Sequence, residues 1–252
     1  MGSKCRAESQ AGRTVMKEEI AMDCTAIVLA AGNGKRLNAE VKKQYLDIGG
    51  MPVVAYSLRR FQKQEFIHRI VLVTGPEDRE YCQEQIVDRY GLTKVEQIIP
   101  GGNERFDSVY AGLRACAGTD VVFIHDGARP FISDEVLAKL YADVLRYRAC
   151  IAAVPVKDTI KISLDGVRID RTPDRNSIWQ AQTPQVFSYD LIRRAYRAAG
   201  QAGAYGITDD ASCVERYGST PVHLTLGSYE NIKITTREDL AIASVFAEKY
   251  MQ

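Results

Sequence analysis

Thr25-Ala26-Ile27-Val28-Leu29-Ala30 runs into Ala31-Gly32-Asn33-Gly34-Lys35-Arg36-Leu37, and the stretch closes at Lys42-Lys43-Gln44-Tyr45-Leu46. The apolar run has the length and flanks of a central strand in a parallel sheet. Two glycines at alternate positions then let the backbone approach a ligand and turn its N–H groups outward, because no Cβ stands in the way. Lys35, Arg36, Lys42 and Lys43 face a single acid, Glu40, across residues 35–43. A loop this cationic beside bare amides suits a polyphosphate. A P-loop is excluded, since Gly34-Lys35 is followed by Arg36 and Leu29 stands where the first glycine belongs. A dinucleotide fingerprint fails at Leu37, the place of its third glycine. A plain strand-to-helix turn with solvated charges is the competing reading of the loop alone.

Outward from this stretch the chain alternates strands and helices. Pro52 takes a first-turn position ahead of Val54, Leu58 and Phe61 at helical spacing, residues 69–74 read as a second buried strand, and Gly75-Pro76 opens a helix. Residues 95–99 form a shorter strand that ends at Pro100-Gly101-Gly102-Asn103-Glu104-Arg105-Phe106-Asp107-Ser108, followed by a helix carrying Val109 and Leu113. Residues 120–130, Asp-Val-Val-Phe-Ile-His-Asp-Gly-Ala-Arg-Pro, place Asp126 at the end of an apolar strand. That is the carboxyl edge of a sheet, where open α/β folds bind ligands. A Mg²⁺ ion takes one or two such carboxylates plus phosphate oxygens, so Asp126 is the natural metal partner, while His125 reads as a core histidine. An amphipathic helix spans 133–148 and a buried strand 150–156. Alternating residues on both sides of Leu164-Asp165-Gly166 predict a β-hairpin with a weak apolar face, which needs an outside surface such as a second subunit. Thr208 or Asp209 caps one later helix, and Thr236-Arg237-Glu238-Asp239 fits a capping box before the last.

At 252 residues and 46% hydrophobic, the chain can bury a full core without metals or disulfides. A net charge of +1 excludes a globally basic nucleic-acid binder, so anion affinity must come from local clustering. The six cysteines contain no C-x-x-C pair and read as reduced, buried small hydrophobes of a cytoplasmic protein. Three scattered histidines give no zinc spacing, and no apolar run reaches the length of a membrane span. Residues 1–22 read as a disordered extension, and 23–252 as one domain with an arm at about 157–176.

The loop L-A-A-G-x-G-x-R, with K-Q after a short gap, resembles the nucleotidyltransferases that activate a sugar or polyol. Four further segments narrow the resemblance to the 2-C-methyl-D-erythritol 4-phosphate cytidylyltransferase family. They are Gly101-Gly102-x-x-Arg105-x-x-Ser108, His125-Asp126-Gly127-Ala128-Arg129-Pro130, residues 174–187 and Ile207-Thr208-Asp209-Asp210-Ala211-Ser212. The resemblance implies a Rossmann-like three-layer αβα fold with a mostly parallel sheet and a protruding β-hairpin arm. It also implies transfer of a cytidylyl group from CTP to a branched polyol phosphate, Mg²⁺ as cofactor, and a homodimer joined through the arm. Arg36 and Lys43 would then stabilise the transition state at the α-phosphate, and Arg175 and Lys233 would hold the acceptor phosphate, with Thr159 helping to seat it. Ala30, Ala31, Gly32, Gly101, Arg105, Ser108, Asp126, Gly127, Arg129, Thr183 and Thr208 would line the substrate sites. The attacking phosphate is already an anion, which agrees with the lack of a Ser-His-Asp arrangement or a G-x-S-x-G elbow.

Two departures stand out. Gly127 replaces an alanine of the family, and Lys42 stands where the family has a proline before the lysine, so the loop is expected to be less rigid. Lys35 and Lys42 are left as surface charge that steers CTP inward. Ribitol 5-phosphate cytidylyltransferases, whose loop shows L-A-G-G, and a catalytically silent nucleotide-binding regulator are the rival readings. Ala30-Ala31 counts against the first, and the presence of Arg36, Lys43 and Asp126 against the second.

Overall fold

A computed structural model describes residues 22–32, 41–204 and 206–250. Asn33, Gly34, Lys35, Arg36 and nearly all of the expected N-terminal extension lie outside the described residues. In chain order the elements begin with β1 (Cys24–Ala30), the short antiparallel pair β2 (Asp47–Ile48) and β3 (Met51–Pro52), and α1 (Val53–Lys63). There follow β4 (Arg69–Thr74), α2 (Arg79–Cys82) with a π-helical continuation Gln83–Asp88, β5 (Val95–Pro100) and α3 (Arg105–Ala115). Next come β6 (Val121–Asp126), α4 (Asp134–Tyr147), β7 (Ala149–Pro155) and β8 (Trp179–Ser188). The chain ends in α5 (Tyr189–Gln201), α6 (Asp210–Tyr217), β9 (His223–Leu226) and α7 (Arg237–Tyr250).

Seven strands form one sheet in the order β5-β4-β1-β6-β8-β7-β9. All run in one direction except β8, which is antiparallel to both neighbours. The near-continuous apolar runs of β1, β4 and β6 follow from burial on both faces. Alternate residues divide between two cores: Ala26, Val28, Ile70, Leu72 and Phe123 meet α1, α4 and α7, while Ile27, Val71, Val73, Val122 and Ile124 meet α3, α5 and α6. The three-layer, mostly parallel architecture expected from sequence is therefore present.

From β1 the chain crosses to β4 on one side, and from β6 it continues toward the other, so the sheet has its switch point between β1 and β6. A crevice opens there at the carboxyl ends of the strands, and the register sets Leu29 opposite Asp126. β7 also runs in the direction of β1, so the segment between Pro155 and Trp179 leaves the sheet at this same edge.

That segment corrects one expectation. Its antiparallel pairing is limited to a single bridge, Ile162 to Arg171, beside which Lys161 Nζ donates to Thr172 Oγ1 at 2.9 Å. Asp165 instead gathers local donors, accepting from the amides of Val167 (2.9 Å) and Arg168 (2.8 Å) and from Arg168 Nε (3.1 Å). Leu164 and Val167 are almost fully exposed, at 87% and 86%. Within one chain these apolar side chains of the arm pack on nothing, and the turn is organised round the Asp165 carboxylate.

Candidate active site

The crevice is a cleft of about 520 Å³ walled by Ala30, Ala31, Gly32, Lys43, Thr74–Glu77, Gly101–Arg105, Ser108, Asp126 and Lys233, among others. Four parts of the wall come from the ends of strands. β1 delivers Ala30 and the amides beyond it, β4 ends at Thr74 below Gly75, β5 ends at Pro100 before Gly101, and β6 ends at Asp126. Gly101 is required for close approach: a Cβ there would stand 2.5 Å from Ala31 Cβ and 2.7 Å from Ser108 Oγ. Ser108 Oγ accepts from Gly102 N (3.2 Å) and donates to the Glu104 carbonyl (3.2 Å), which binds the Gly101–Gly102 turn to the first turn of α3.

Asp126 is the centre of charge. Lys233 Nζ donates to its Oδ2 at 2.6 Å, and Arg105 Nε to its Oδ1 at 3.2 Å. Burial alone would raise the Asp126 pKa, but Arg105 and Lys233 outweigh it and hold the carboxyl well below the usual range. Arg105 is itself fixed from behind, its two terminal nitrogens donating to the fully buried Asp210 carboxylate at 3.0 and 2.7 Å. Tyr196 donates its hydroxyl to the same carboxylate at 2.5 Å. The guanidinium thus spans α3, β6 and α6 in a geometry no lysine reproduces.

Behind Asp126 lies a closed chain of hydrogen bonds. Its amide donates to Thr183 Oγ1 (3.0 Å), Thr183 gives its own proton to His125 Nδ1 (3.1 Å), and His125 Nε2 donates to the Arg129 carbonyl (3.0 Å). Burial pushes the His125 pKa down to about 4, so the imidazole is neutral, as the core-histidine reading expected. Arg129 donates to the Asn231 carbonyl at 2.8 Å, and Asn231 Nδ2 donates to the Thr183 carbonyl at 2.8 Å. These contacts hold Lys233 beside Asp126.

Of the residues singled out from sequence, Ala30, Ala31, Gly32, Lys43, Gly101, Arg105, Ser108, Asp126 and Lys233 come together round the cleft. Gly127, Arg129 and Thr183 are buried behind it rather than on its wall: Arg129 and Thr183 are committed to the chain just described, and Gly127 N donates to the Leu29 carbonyl at 2.8 Å. Thr208 is exposed and off the cleft wall; its amide donates to Ser212 Oγ in the capping of α6, where the cap is Asp209. Thr159 and Arg175 lie on the exposed arm, outside the cleft of this chain, Arg175 donating to the Lys157 carbonyl at 3.2 Å. Arg36 lies outside the described residues.

Sequence reasoning gave no role to Gln44 or Asp210. Gln44 Nε2 donates to the carbonyls of Ala30 (2.6 Å) and Gly32 (3.0 Å), stitching together the two ends of the loop. Its adjacency to Lys43 was the available signal. Lys42 is not loose surface charge: it is ion-paired to Glu77 and, at 2.7 Å, to Asp78.

The sequence profile of the 2-C-methyl-D-erythritol 4-phosphate cytidylyltransferases matches residues 24–249. The chain is 47% identical over 223 residues to the enzyme of that name from Lachnospira eligens, covering 88% of this chain and 98% of the relative. It is 48% identical over 230 residues to that of Geobacillus kaustophilus, covering 91% and 99%. Among solved structures, 4-diphosphocytidyl-2C-methyl-D-erythritol synthase from Anaerococcus prevotii superposes with a TM-score of 0.79 at 32% identity, over 90% of this chain and 97% of that one. The Thermus thermophilus cytidylyltransferase does so with a TM-score of 0.72 at 28% identity, over 88% and 98%. With the family profile matched over residues 24–249 and relatives of that name nearly half identical over about nine tenths of the chain, this chain belongs to the 2-C-methyl-D-erythritol 4-phosphate cytidylyltransferase family.

Proposed function

We propose that the protein transfers a cytidylyl group from CTP to 2-C-methyl-D-erythritol 4-phosphate, giving 4-diphosphocytidyl-2-C-methyl-D-erythritol and pyrophosphate, a step of non-mevalonate isoprenoid biosynthesis. The observation that carries the reading is the cleft itself, where Arg105 and Lys233 pair with one ionised carboxylate at the switch point of the sheet and Lys43 stands on the same wall. A phosphate oxygen of the acceptor attacks the α-phosphorus of CTP; one P–O bond forms and the bond to pyrophosphate breaks. No proton need be removed from the nucleophile. The task is to bring two polyanions together and to stabilise charge gathering on the oxygens of the reacting phosphorus. Lys43 and Arg36 serve the α-phosphate, and Lys233 holds the acceptor phosphate. The three acids of the cleft wall add little repulsion: Asp126 is paired with Arg105 and Lys233, Glu77 with Lys42, and Glu104 accepts from the first turn of α3.

Mg²⁺ fits Asp126, which is ionised, opens on the cleft and keeps a lone pair on each oxygen beside its present partners. When bound, the ion neutralises phosphate charge and draws the phosphates into line. The arm at 157–176 fits a second copy of the chain, since Leu164, Val167 and Ile169 stand exposed on it with Thr159 and Arg175 close by in sequence. Its root lies on the same sheet edge as the cleft, so in a homodimer it reaches the partner's site. No helix among the described residues is long and apolar enough to cross a membrane. Among the described residues, five buried free cysteines suit a reducing cytoplasm. The test is pyrophosphate release with CTP and Mg²⁺, methylerythritol 4-phosphate and ribitol 5-phosphate being assayed side by side. Turnover with the first acceptor is expected. Preference for ribitol 5-phosphate, or equal turnover with ATP, overturns the assignment.

A further inference from the structure

Lys42 directly precedes Lys43 and carries three unusual features. Its backbone has φ −61° and ψ 138°, a polyproline-like conformation whose φ is the one a proline ring fixes by covalent constraint. Its ammonium is held by two carboxylates of one short turn, Glu77 and Asp78, Asp78 Oδ2 at 2.7 Å. And the space it occupies is left by Gly75, where a Cβ would lie 2.8 Å from Lys42 Nζ. The same Asp78 oxygen accepts from Tyr45 Oη at 3.1 Å, and Tyr45 N donates to the Lys42 carbonyl at 2.9 Å, so both ends of the turn Lys43–Tyr45 are tied to one carboxylate. Lys43 lies between these ties, on the cleft wall.

We propose that Lys42 is a positioning residue for Lys43: its ion pairs with Glu77 and Asp78 lock an extended backbone and thereby aim the next side chain into the cleft. An electrostatic tie to a neighbouring loop does here what a ring would do covalently. Lys42 does not act on substrate. Its rival role, a charge that draws CTP inward, makes a different prediction, because that role depends on charge and not on backbone geometry.

The proposal rests on the cytidylyltransferase reading, so one readout is kept free of substrate. In the absence of nucleotide, hydrogen exchange at the amides of Tyr45 and Leu46 should speed by roughly tenfold in Lys42→Ala and in Asp78→Asn, as the tie is cut from either side. In steady-state assays Lys42→Ala should lower kcat by about tenfold, the scale of a small misplacement of a catalytic group, with a lesser change in KM for CTP. Lys42→Pro removes the same charge but restores the φ constraint, and should return kcat to within about twofold of wild type. Equal losses in Lys42→Ala and Lys42→Pro mean that charge is what matters and overturn the proposal. So does unchanged exchange in both Lys42→Ala and Asp78→Asn, even if Lys42→Pro does not fold. A wild type that releases no pyrophosphate, while these exchange rates rise as expected, refutes the assigned reaction and leaves the tie standing.

Discussion

Lys43 and His125 stand at opposite poles of what one residue can do here. On the proposed mechanism, Lys43 meets charge that appears only as the α-phosphorus changes partners, so its removal should be felt in kcat more than in CTP binding. Lys43→Ala is expected to lose a factor of about 10² to 10³ in kcat, the scale of deleting one oxyanion-type donor. A change confined to KM for CTP would make Lys43 a ground-state binder. His125 is fully buried behind Asp126, and it makes the stability of the fold depend on pH. Burial holds its pKa at about 4, below the ordinary 6.5, so the neutral ring is favoured in the folded state. Its stabilisation is complete above pH 6.5 and is lost as pH falls toward 4, amounting to about 3 kcal/mol over the whole span. His125→Gln cannot titrate. The stability gap between wild type and this variant, followed by urea denaturation, should therefore narrow between pH 6.5 and 4, and a constant gap would count against the argument. Asp126 was legible in the sequence because an apolar run ended in an acid. The Arg105–Asp210 pair was not, since its members are 105 residues apart in sequence and meet only once α6 packs beside α3.

Among the elements, strands β1, β4, β6 and β7 were readable because burial on both faces writes an unbroken apolar run. β8 was not. Its Gln180, Gln182, Thr183, Pro184 and Gln185 look nothing like a central strand, and the reason is that they serve neighbours instead of the core. Gln185 donates to Asp209 (2.7 Å) and accepts from Ala211 N (2.8 Å) at the start of α6, and Gln182 donates to the Ser228 carbonyl at 2.8 Å. Short-range patterning cannot display a strand whose side chains are committed to partners far along the chain. The hairpin expected over Lys157 to Arg171 does fold back on itself, Ile162 pairing antiparallel with Arg171, but its alternation promised more pairing than that one bridge. Of the loops, the one at 227–235 depends most on a single side chain. Fully buried Asn231 ties it to β8 through Gln182 and Thr183 and accepts Arg129 on its carbonyl. Asn231→Ala should cost about 1–3 kcal/mol by stranding buried polar groups, read from the denaturant midpoint, and should weaken acceptor binding by releasing Lys233. Retention of both would show that Lys233 is held by Asp126 alone.

At the scale of the whole molecule, the proposed homodimer assigns Lys43 and Arg175 of different subunits to one site. Lys43→Ala and Arg175→Ala should each be nearly inactive alone. Refolded together, they form heterodimers in which one site carries both lesions and the other carries none. Random exchange in a two-fold dimer then restores up to about a quarter of wild-type sites. If Arg175 serves its own subunit, every site keeps one lesion and activity stays low although heterodimers form. The arm hangs between two strands, β7 and β8, whose pairing runs from Ala149–Phe187 to Pro155–Trp179 without help from it. Lengthening or shortening a loop between such fixed ends adds closure entropy only logarithmically. On the proposed mechanism, natural selection can therefore rewrite the arm's share of the acceptor contacts while the cleft stays untouched, and a lineage that changes its polyol need not first survive a loss of stability.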